Sequence, residues 1–144
     1  DREEQQVYRV VEDAFNEWPT REPSTFEEWR SGATGRSDFD PALLLVAVTG
    51  EEVVGVSFVI PYEDEGWVQQ LAVRRDQRNQ GLGKALLGAS FAELRGRGSP
   101  AVGLSTDSRT GALDLYLDIG MVVRASYTHY SKLLSPRDVI RGDV

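Results

Sequence analysis

The first apolar pattern in the chain repeats every three or four residues, as it does on the buried face of a helix. It comprises Val7, Val10, Val11, Ala14 and Phe15. Pro19 and Pro23 then interrupt the pattern and indicate a loop. Ser24 and Glu27 have the spacing of the two partners in a capping box, which predicts that Ser24 is the N-cap of a short second helix.

The middle of the chain carries three β-rich segments. Residues 43–48 and 53–60 are apolar runs separated by turn-forming residues, which predicts an antiparallel hairpin. A third strand is predicted over residues 67–73. Its apolar–polar alternation breaks at Gln69 and Gln70, and either a β-bulge or a strand with one polar face would explain the break.

The second half of the chain predicts alternating helices and strands. A helix from Gly81 to about residue 95 has two apolar stripes, which indicate deep packing against a sheet. A short strand follows over residues 101–105, and this strand–helix–strand order implies a parallel, right-handed crossover. The next helix ends at Gly120. Residues 121–125 and 127–134 are predicted to be the closing strands.

Composition fits one globular domain. The chain has 144 residues, of which 40% are hydrophobic and 27% charged. We therefore predict a single domain over residues 1–135 and a polar tail over 136–144. The sequence shows neither an apolar run of membrane-spanning length nor the pattern of a signal peptide, so we expect a cytoplasmic protein that does not bind membranes.

Charge and side-chain chemistry narrow the expected partners. A net charge of −7 argues against nucleic acid, which usually binds a basic surface, and would favour a cationic amine. The chain has no cysteine, so disulfides and thiolate chemistry are excluded. His129 is the single histidine and cannot form a site with other histidines, so we expect no metal.

A phosphate-binding loop is predicted between the third strand and the helix that follows it. The loop is formed by Arg78, Asn79, Gln80, Gly81, Leu82, Gly83 and Lys84. The first backbone N–H groups of a helix lack intrahelical partners and lie at the positive end of its dipole, and two glycines allow a bulky anion to approach. The P-loop and dinucleotide-binding motifs do not fit, because Ala85 follows the lysine and a third glycine is missing. A purely structural turn is the alternative.

Two motifs resemble the GNAT family of N-acetyltransferases. The pattern R-x-x-G-x-G, after a strand ending in Leu71, Ala72 and Val73, is similar to the family's coenzyme A pyrophosphate loop. Residues 112–121 resemble the family segment A-x-x-L-Y-x-x-x-G-F, with methionine in place of phenylalanine. The resemblance implies an α/β fold with a mixed, mostly antiparallel central sheet, helices on both faces, and acetyl-CoA as the co-substrate. Arg109 stands where the family often has asparagine, and we expect it among the cofactor contacts.

The resemblance also implies roles for individual residues. Tyr116 is expected to protonate the leaving thiolate, and a backbone amide near Leu71 to stabilise the oxyanion. Core packing is the alternative role of Tyr116. The third strand carries no carboxylate, so the expected general base is Glu65, with Glu63 as the alternative, although a run of charges such as the acidic loop at residues 63–65 is usually a solvated turn. Trp18, Phe26 and Trp29 either line the acceptor site or pack in the core.

The implied activity is direct transfer of an acetyl group to a primary amine of a small molecule or peptide. The alternative is a non-catalytic acyl-CoA-binding or interaction domain of a larger tandem protein. GNAT domains typically begin with a strand, whereas this chain opens with a helix, so we expect the first strand to be missing. The chain would then be a fragment, or the second half of a longer protein, and residues 110–113 are similar to the second domain of mycothiol-synthase-like tandem acetyltransferases. An exposed sheet edge would pair with a second copy or with another domain of the same protein. The alternative is a natural variant whose sheet starts one strand later.

Overall fold

The computed structural model describes residues 1–18, 21–107 and 111–135. Helix α1 (Arg2–Phe15) begins after Asp1, whose carboxylate accepts a hydrogen bond from the Glu3 N–H at 3.1 Å. Three residues of the predicted apolar face are buried, namely Val7, Val10 and Val11. Glu12 is also buried, although it is not part of that face. The first apolar pattern therefore forms the helix that it predicted.

Helix α2 (Phe26–Gly32) begins one residue later than the sequence predicted. Thr25 is its N-cap: the Thr25 hydroxyl accepts from the Glu28 N–H at 3.2 Å, and the Glu28 carboxylate accepts from the Thr25 N–H at 2.7 Å. Ser24 instead bonds Glu12, through its N–H at 2.8 Å and its hydroxyl at 3.0 Å. The predicted cap was wrong because Ser24 and Thr25 are both good N-cap residues, and Ser24 is hydrogen-bonded to Glu12 instead.

The sheet has four strands in sequence order, which are β1 (Leu44–Thr49), β2 (Glu52–Pro61), β3 (Gly66–Val73) and β4 (Val102–Gly103). The first three strands are antiparallel, and β4 is parallel to β3. Both the predicted hairpin and the predicted parallel crossover are thereby confirmed. Strand β2 is buried between its two end residues, because helices cover it from both faces.

Helix α3 (Leu82–Gly96) covers one face of the sheet. Ser90 on α3 and Ser57 on β2 are fully buried, and their hydroxyl oxygens are 2.7 Å apart. A Cβ atom at Gly66 would lie 2.7 Å from the Leu94 Cδ1 atom, so only glycine lets the helix approach the start of β3 this closely.

Helices α1 and α2 cover the opposite face. Trp29 on α2 donates a hydrogen bond from Nε1 to Gln70 Oε1 on β3 at 3.1 Å. Tyr8 on α1 contacts the same tryptophan, with ring centroids 6.0 Å apart. The fold is therefore a mixed, mostly antiparallel sheet with helices on both faces, as predicted.

Strand β3 contains a β-bulge, which is the first of the two explanations given for the break in its alternation. Phe58 on β2 pairs with Gln70, whereas the next residue, Val59, pairs with Val68, so Gln69 is the extra residue. The bulge turns Gln70 toward the α1–α2 face, which is the face of its partner Phe58. It also turns Leu71 toward α3, since the partner of Leu71 is Ser57.

Helix α4 (Ala112–Asp118) follows β4 and is preceded by Gly111, whose φ is 74°. After Gly120, residues 121–135 contain no strand, so the predicted closing strands are wrong. Met121 is partly buried against the core, but the apolar side chains after it face solvent, and Tyr130 and Leu133 are 92% and 97% exposed. A β-rich pattern needs a neighbouring strand to supply hydrogen-bond partners, and β4 offers a ladder of two residues.

The predicted tail at residues 136–144 lies outside the described residues, and the division into domain and tail stays a prediction. Within the ranges that the structure describes, no helix combines the length and the hydropathy that crossing a bilayer requires.

Candidate active site

A gap in the sheet opens between β3 and β4. The two strands pair at Gly66–Val102 and at Trp67–Gly103, although β3 continues to Val73. Beyond Trp67, no strand within the described residues lies beside the edge of β3 that faces away from β2. Backbone N–H and C=O groups along this edge are therefore available to an extended ligand.

The closed end of the gap is tightly packed. A Cβ atom at Gly103 would lie 2.8 Å from the Trp67 Cζ3 atom and 2.9 Å from the Glu65 Oε1 atom. Only glycine fits there, so the indole of Trp67 and the carboxylate of Glu65 lie directly against β4. A ligand would therefore have to enter from the other end of the gap, where β3 ends.

The predicted phosphate loop lies at that open end. Asn79 and Gly81 both have positive φ angles, of 61° and 83°, which turn the chain into α3. No described side chain caps α3, whereas α1 and α2 both have side-chain caps. The Ala85 N–H donates to the Gly81 carbonyl at 3.0 Å, so the amides of residues 82–84 precede the first hydrogen bond of the helix. Free amides at the start of a helix can bind an anion, so this helix start has the geometry that the sequence predicted for a phosphate.

The charged side chains of the loop differ in their surroundings. The Arg78 guanidinium donates to both carboxylate oxygens of Glu17, at 2.8 and 3.0 Å, and from Nε to the Val73 carbonyl at 3.0 Å. Lys84 is exposed and forms no ion pair with any residue that the structure describes. Of the two predicted cations, Lys84 therefore has its charge free for a phosphate, whereas that of Arg78 is matched by Glu17.

A groove of about 470 Å³ adjoins the loop on the α1 side of the sheet. Its walls include Val10, Asp13 and Glu17 from the α1 side and Val73 and Arg78 from the strand and loop. The loop is thus accessible from the α1 face as well as from the gap.

Tyr116 lies on α4, next to the start of α3. A Cβ atom at Gly83 would be 3.3 Å from the Leu115 Cδ2 atom, so α4 packs against the first turn of α3. Tyr116 is 9% exposed, and burial raises its pKa above its ordinary value of about 10. A phenol with a raised pKa stays protonated at neutral pH and can donate a proton. Tyr116 also belongs to the hydrophobic core, so both of its expected roles remain open.

Glu65 forms an ion pair that its sequence did not indicate. Arg124 donates to its two carboxylate oxygens at 2.6 and 2.9 Å. These hydrogen bonds lower the pKa of Glu65, and a lowered pKa makes a carboxylate a weaker base. The role of Glu65 as a general base stays a prediction, and it would require release of Arg124.

The bulge is held by a contact that the sequence analysis missed. Trp29 is 6% exposed, and its only ring N–H is used by Gln70, the residue that follows the bulged Gln69. Trp29 also packs with Phe26 and Tyr8 in an aromatic cluster, which is the packing role left open for it. The break in alternation located the bulge, but nothing in the sequence identified its partner 41 residues away.

The structure thus places the predicted cofactor residues along one path. Leu71, Ala72 and Val73 form the last part of β3, and residues 78–84 follow them around its end. Arg109 lies outside the described residues. Among the residues that the structure does describe, no three His, Cys, Asp or Glu side chains are grouped so that they could hold a metal ion.

Comparison with known proteins identifies the family. A sequence model of the acetyltransferase (GNAT) family matches residues 4–121, which include the bulged strand, the uncapped helix start and Tyr116. The chain therefore belongs to the GNAT acetyltransferase family. No match was found among curated proteins.

Solved structures show the same fold. A GCN5-related N-acetyltransferase from Sphaerobacter thermophilus is 39% identical over 85% of this chain, with a TM-score of 0.72, and the match spans 38% of that protein. The ribosomal-protein-S18-alanine N-acetyltransferase of Escherichia coli is 22% identical, with 81% of this chain and 70% of that one covered and a TM-score of 0.62. An aminoglycoside N-acetyltransferase in complex with CoA is 13% identical, with 90% and 88% covered and a TM-score of 0.70.

Proposed function

We propose that this protein transfers an acetyl group from acetyl-CoA to a primary amine. The observation that carries the proposal is the uncapped start of α3 directly after a bulged strand whose outer edge is unpaired. Coenzyme A has a pyrophosphate and an extended pantetheine arm, so it needs an anion site next to a free strand edge. Membership of the GNAT family supports the same assignment.

The pyrophosphate would bind the amides of residues 82–84, with Lys84 adding positive charge. The pantetheine arm would lie along β3 beside Leu71, Ala72 and Val73. Arg109 is proposed as a further contact. One of the structural neighbours, which shares the fold at 13% identity, was solved with CoA, and this is consistent with the proposal.

The reaction forms a bond between the amine nitrogen and the acetyl carbon and breaks the carbon–sulfur bond. The amine loses one proton, and the sulfur of the leaving thiolate gains one. In the proposal, a backbone N–H near Leu71 stabilises negative charge on the carbonyl oxygen, and Tyr116 supplies the proton to sulfur. Glu65 would take the amine proton after its ion pair with Arg124 is released.

The acceptor is a small-molecule or peptide amine in this proposal. Two of the neighbours are by name an acetyltransferase of aminoglycosides and one of an alanine of a ribosomal protein. A negatively charged chain would attract a cationic acceptor at low ionic strength.

A non-catalytic acyl-CoA-binding domain is the second candidate, and the ion pair that holds Glu65 favours it. Calorimetry with acetyl-CoA, followed by mass spectrometry of an amine panel incubated with enzyme and acetyl-CoA, distinguishes the two. Binding together with an acetylated amine is the expected result. Binding without any product across cationic, neutral and peptide amines would favour the second candidate, and absence of binding would refute both.

A further inference from the structure

The Arg78 side chain connects three separate parts of the chain. Its Nε atom donates to the carbonyl of Val73, where β3 ends, and its Nη1 and Nη2 atoms donate to the carboxylate of Glu17, just after α1. Arg78 itself immediately precedes Asn79, which has a φ of 61°. One guanidinium thus joins the end of the strand, the end of the helix α1 and the turn that leads into α3.

This connection crosses from one layer of the fold to the other. Helix α3 packs on the face of the sheet that carries Ser57 and Gly66, whereas α1 and α2 pack on the face that carries Gln70. The loop before α3 must therefore pass around the end of β3. The contact with Glu17 fixes the guanidinium on the α1 side, so the backbone of the loop is held between the two layers.

We infer that Glu17 is a positioning residue for the cofactor site, acting through Arg78 on the amides at the start of α3. The inference rests on the proposed function, since it assumes that these amides bind the CoA pyrophosphate. Arg78 would then shape the loop through its guanidinium rather than bind phosphate with it. A preorganised set of backbone donors binds more tightly because less ordering is required when the ligand arrives.

Direct phosphate binding by Arg78 would reverse the effect of a Glu17 substitution on CoA affinity. If Arg78 bound the pyrophosphate with its guanidinium, Glu17 would compete with the phosphate for it, and removing the carboxylate would strengthen CoA binding. The side chains of Arg78 and Glu17 are 35% and 36% exposed, so the pair alone has a modest effect. For Glu17→Gln we expect CoA to bind about two- to fivefold more weakly.

The experiment measures the dissociation constant of CoA by calorimetry for the wild type, Glu17→Gln, Arg78→Gln and the double variant. Asp40→Asn is the matched control, because Asp40 pairs with Arg97 near the far end of α3 at 2.7 Å, with similar exposure. We expect Arg78→Gln to weaken binding by about tenfold, since it removes the bonds to both Val73 and Glu17. The double variant should be no weaker than Arg78→Gln, because Glu17 acts through Arg78. Asp40→Asn should leave the affinity unchanged.

Each outcome separates this inference from the proposed function. A wild-type protein that does not bind CoA refutes the proposed function. A wild type that binds CoA, together with a Glu17→Gln variant of equal or higher affinity, overturns the positioning role alone. So does a double variant whose loss is the sum of the two single losses. Circular dichroism and thermal melting of every variant show whether a weakened variant is still folded.

Discussion

Replacing Glu12 with alanine tests the contact that fixes the connection between α1 and α2. Glu12 is 7% exposed, and its carboxylate accepts from Arg21 Nη1 and Nη2, both at 3.0 Å, and from Ser24 N–H and hydroxyl at 2.8 and 3.0 Å. Burial alone would raise the pKa of Glu12, but the hydrogen bonds from Arg21 and Ser24 outweigh it, so its pKa is lowered. The substitution removes the acceptor for all of these donors at once.

The expected cost follows from the exposure of each partner. A hydrogen bond to a charged group contributes about 1.5–3 kcal/mol when it is buried. The Arg21 side chain is 29% exposed and keeps Asn16 Oδ1 at 2.9 Å, so it recovers part of its loss from water and from Asn16. The two Ser24 donors are less easily compensated. We therefore expect Glu12→Ala to lower the free energy of unfolding by about 2–4 kcal/mol, a large part of the stability of a typical domain.

Urea denaturation followed by tryptophan fluorescence measures this change through the shift of the midpoint. Asp38→Ala is the matched control: Asp38 accepts from Arg36 through both oxygens at 2.8 and 2.7 Å, but its side chain is 62% exposed. The control should cost much less than Glu12→Ala, because water screens the exposed Asp38 carboxylate and replaces its lost hydrogen bonds. A cost for Glu12→Ala no larger than that of Asp38→Ala would refute the importance of the buried network.

The remaining predictions concern the site and pH. Tyr116→Phe should lower kcat by about 10²–10⁴-fold with CoA affinity unchanged, measured under conditions where chemistry limits the rate; an unchanged kcat would leave Tyr116 a packing role. Because burial raises the pKa of Tyr116 above its ordinary value of about 10, any fall of the wild-type rate caused by its ionisation should reach its midpoint only above pH 10. Gly83→Val should push against Leu115 and weaken CoA binding at least tenfold in calorimetry. The control Gly88→Ala lies on the same helix with no neighbour within 4 Å, so it should bind CoA normally and be stabilised by up to about 1 kcal/mol. Equal CoA affinities of the two variants would contradict this prediction. The depressed pKa of Glu12 adds stability above pH 4.5 that is lost as the pH falls through the folded-state pKa, and Glu12→Gln should flatten that acid dependence in urea titrations.

Local patterns predicted the parts of the fold whose causes are local. The paired glutamines at positions 69 and 70 broke the alternation of β3, and the bulge was confirmed there. The glycine-rich loop predicted a helix that begins near Gly81 with free backbone N–H groups, and α3 begins at Leu82 without a side-chain cap. The parallel crossover followed from the order of the elements.

Contacts between residues far apart in the chain could not be predicted from local sequence patterns. Arg78 and Glu17 are 61 residues apart, so nothing nearby in the chain showed that the loop cation is matched by a carboxylate. The pair of Glu65 with Arg124 spans 59 residues and changes the basicity of a predicted base. The prediction of strands within residues 121–135 was wrong for a related reason, because strand propensity does not reveal whether a neighbouring strand is available to pair with.

Release of free CoA thiol tests the central claim most directly. The chain contains no cysteine, so a thiol-reactive chromophore reports CoA alone and the enzyme gives no background. The assay combines acetyl-CoA with a panel of cationic, neutral and peptide amines, and mass spectrometry of each mixture checks for an added acetyl group. We predict that thiol release depends on both the enzyme and one class of amine, with one acetylated amine formed per thiol, and that Tyr116→Phe slows it. Thiol release that no amine accelerates, with no acetylated product, would contradict the assignment as an amine acetyltransferase.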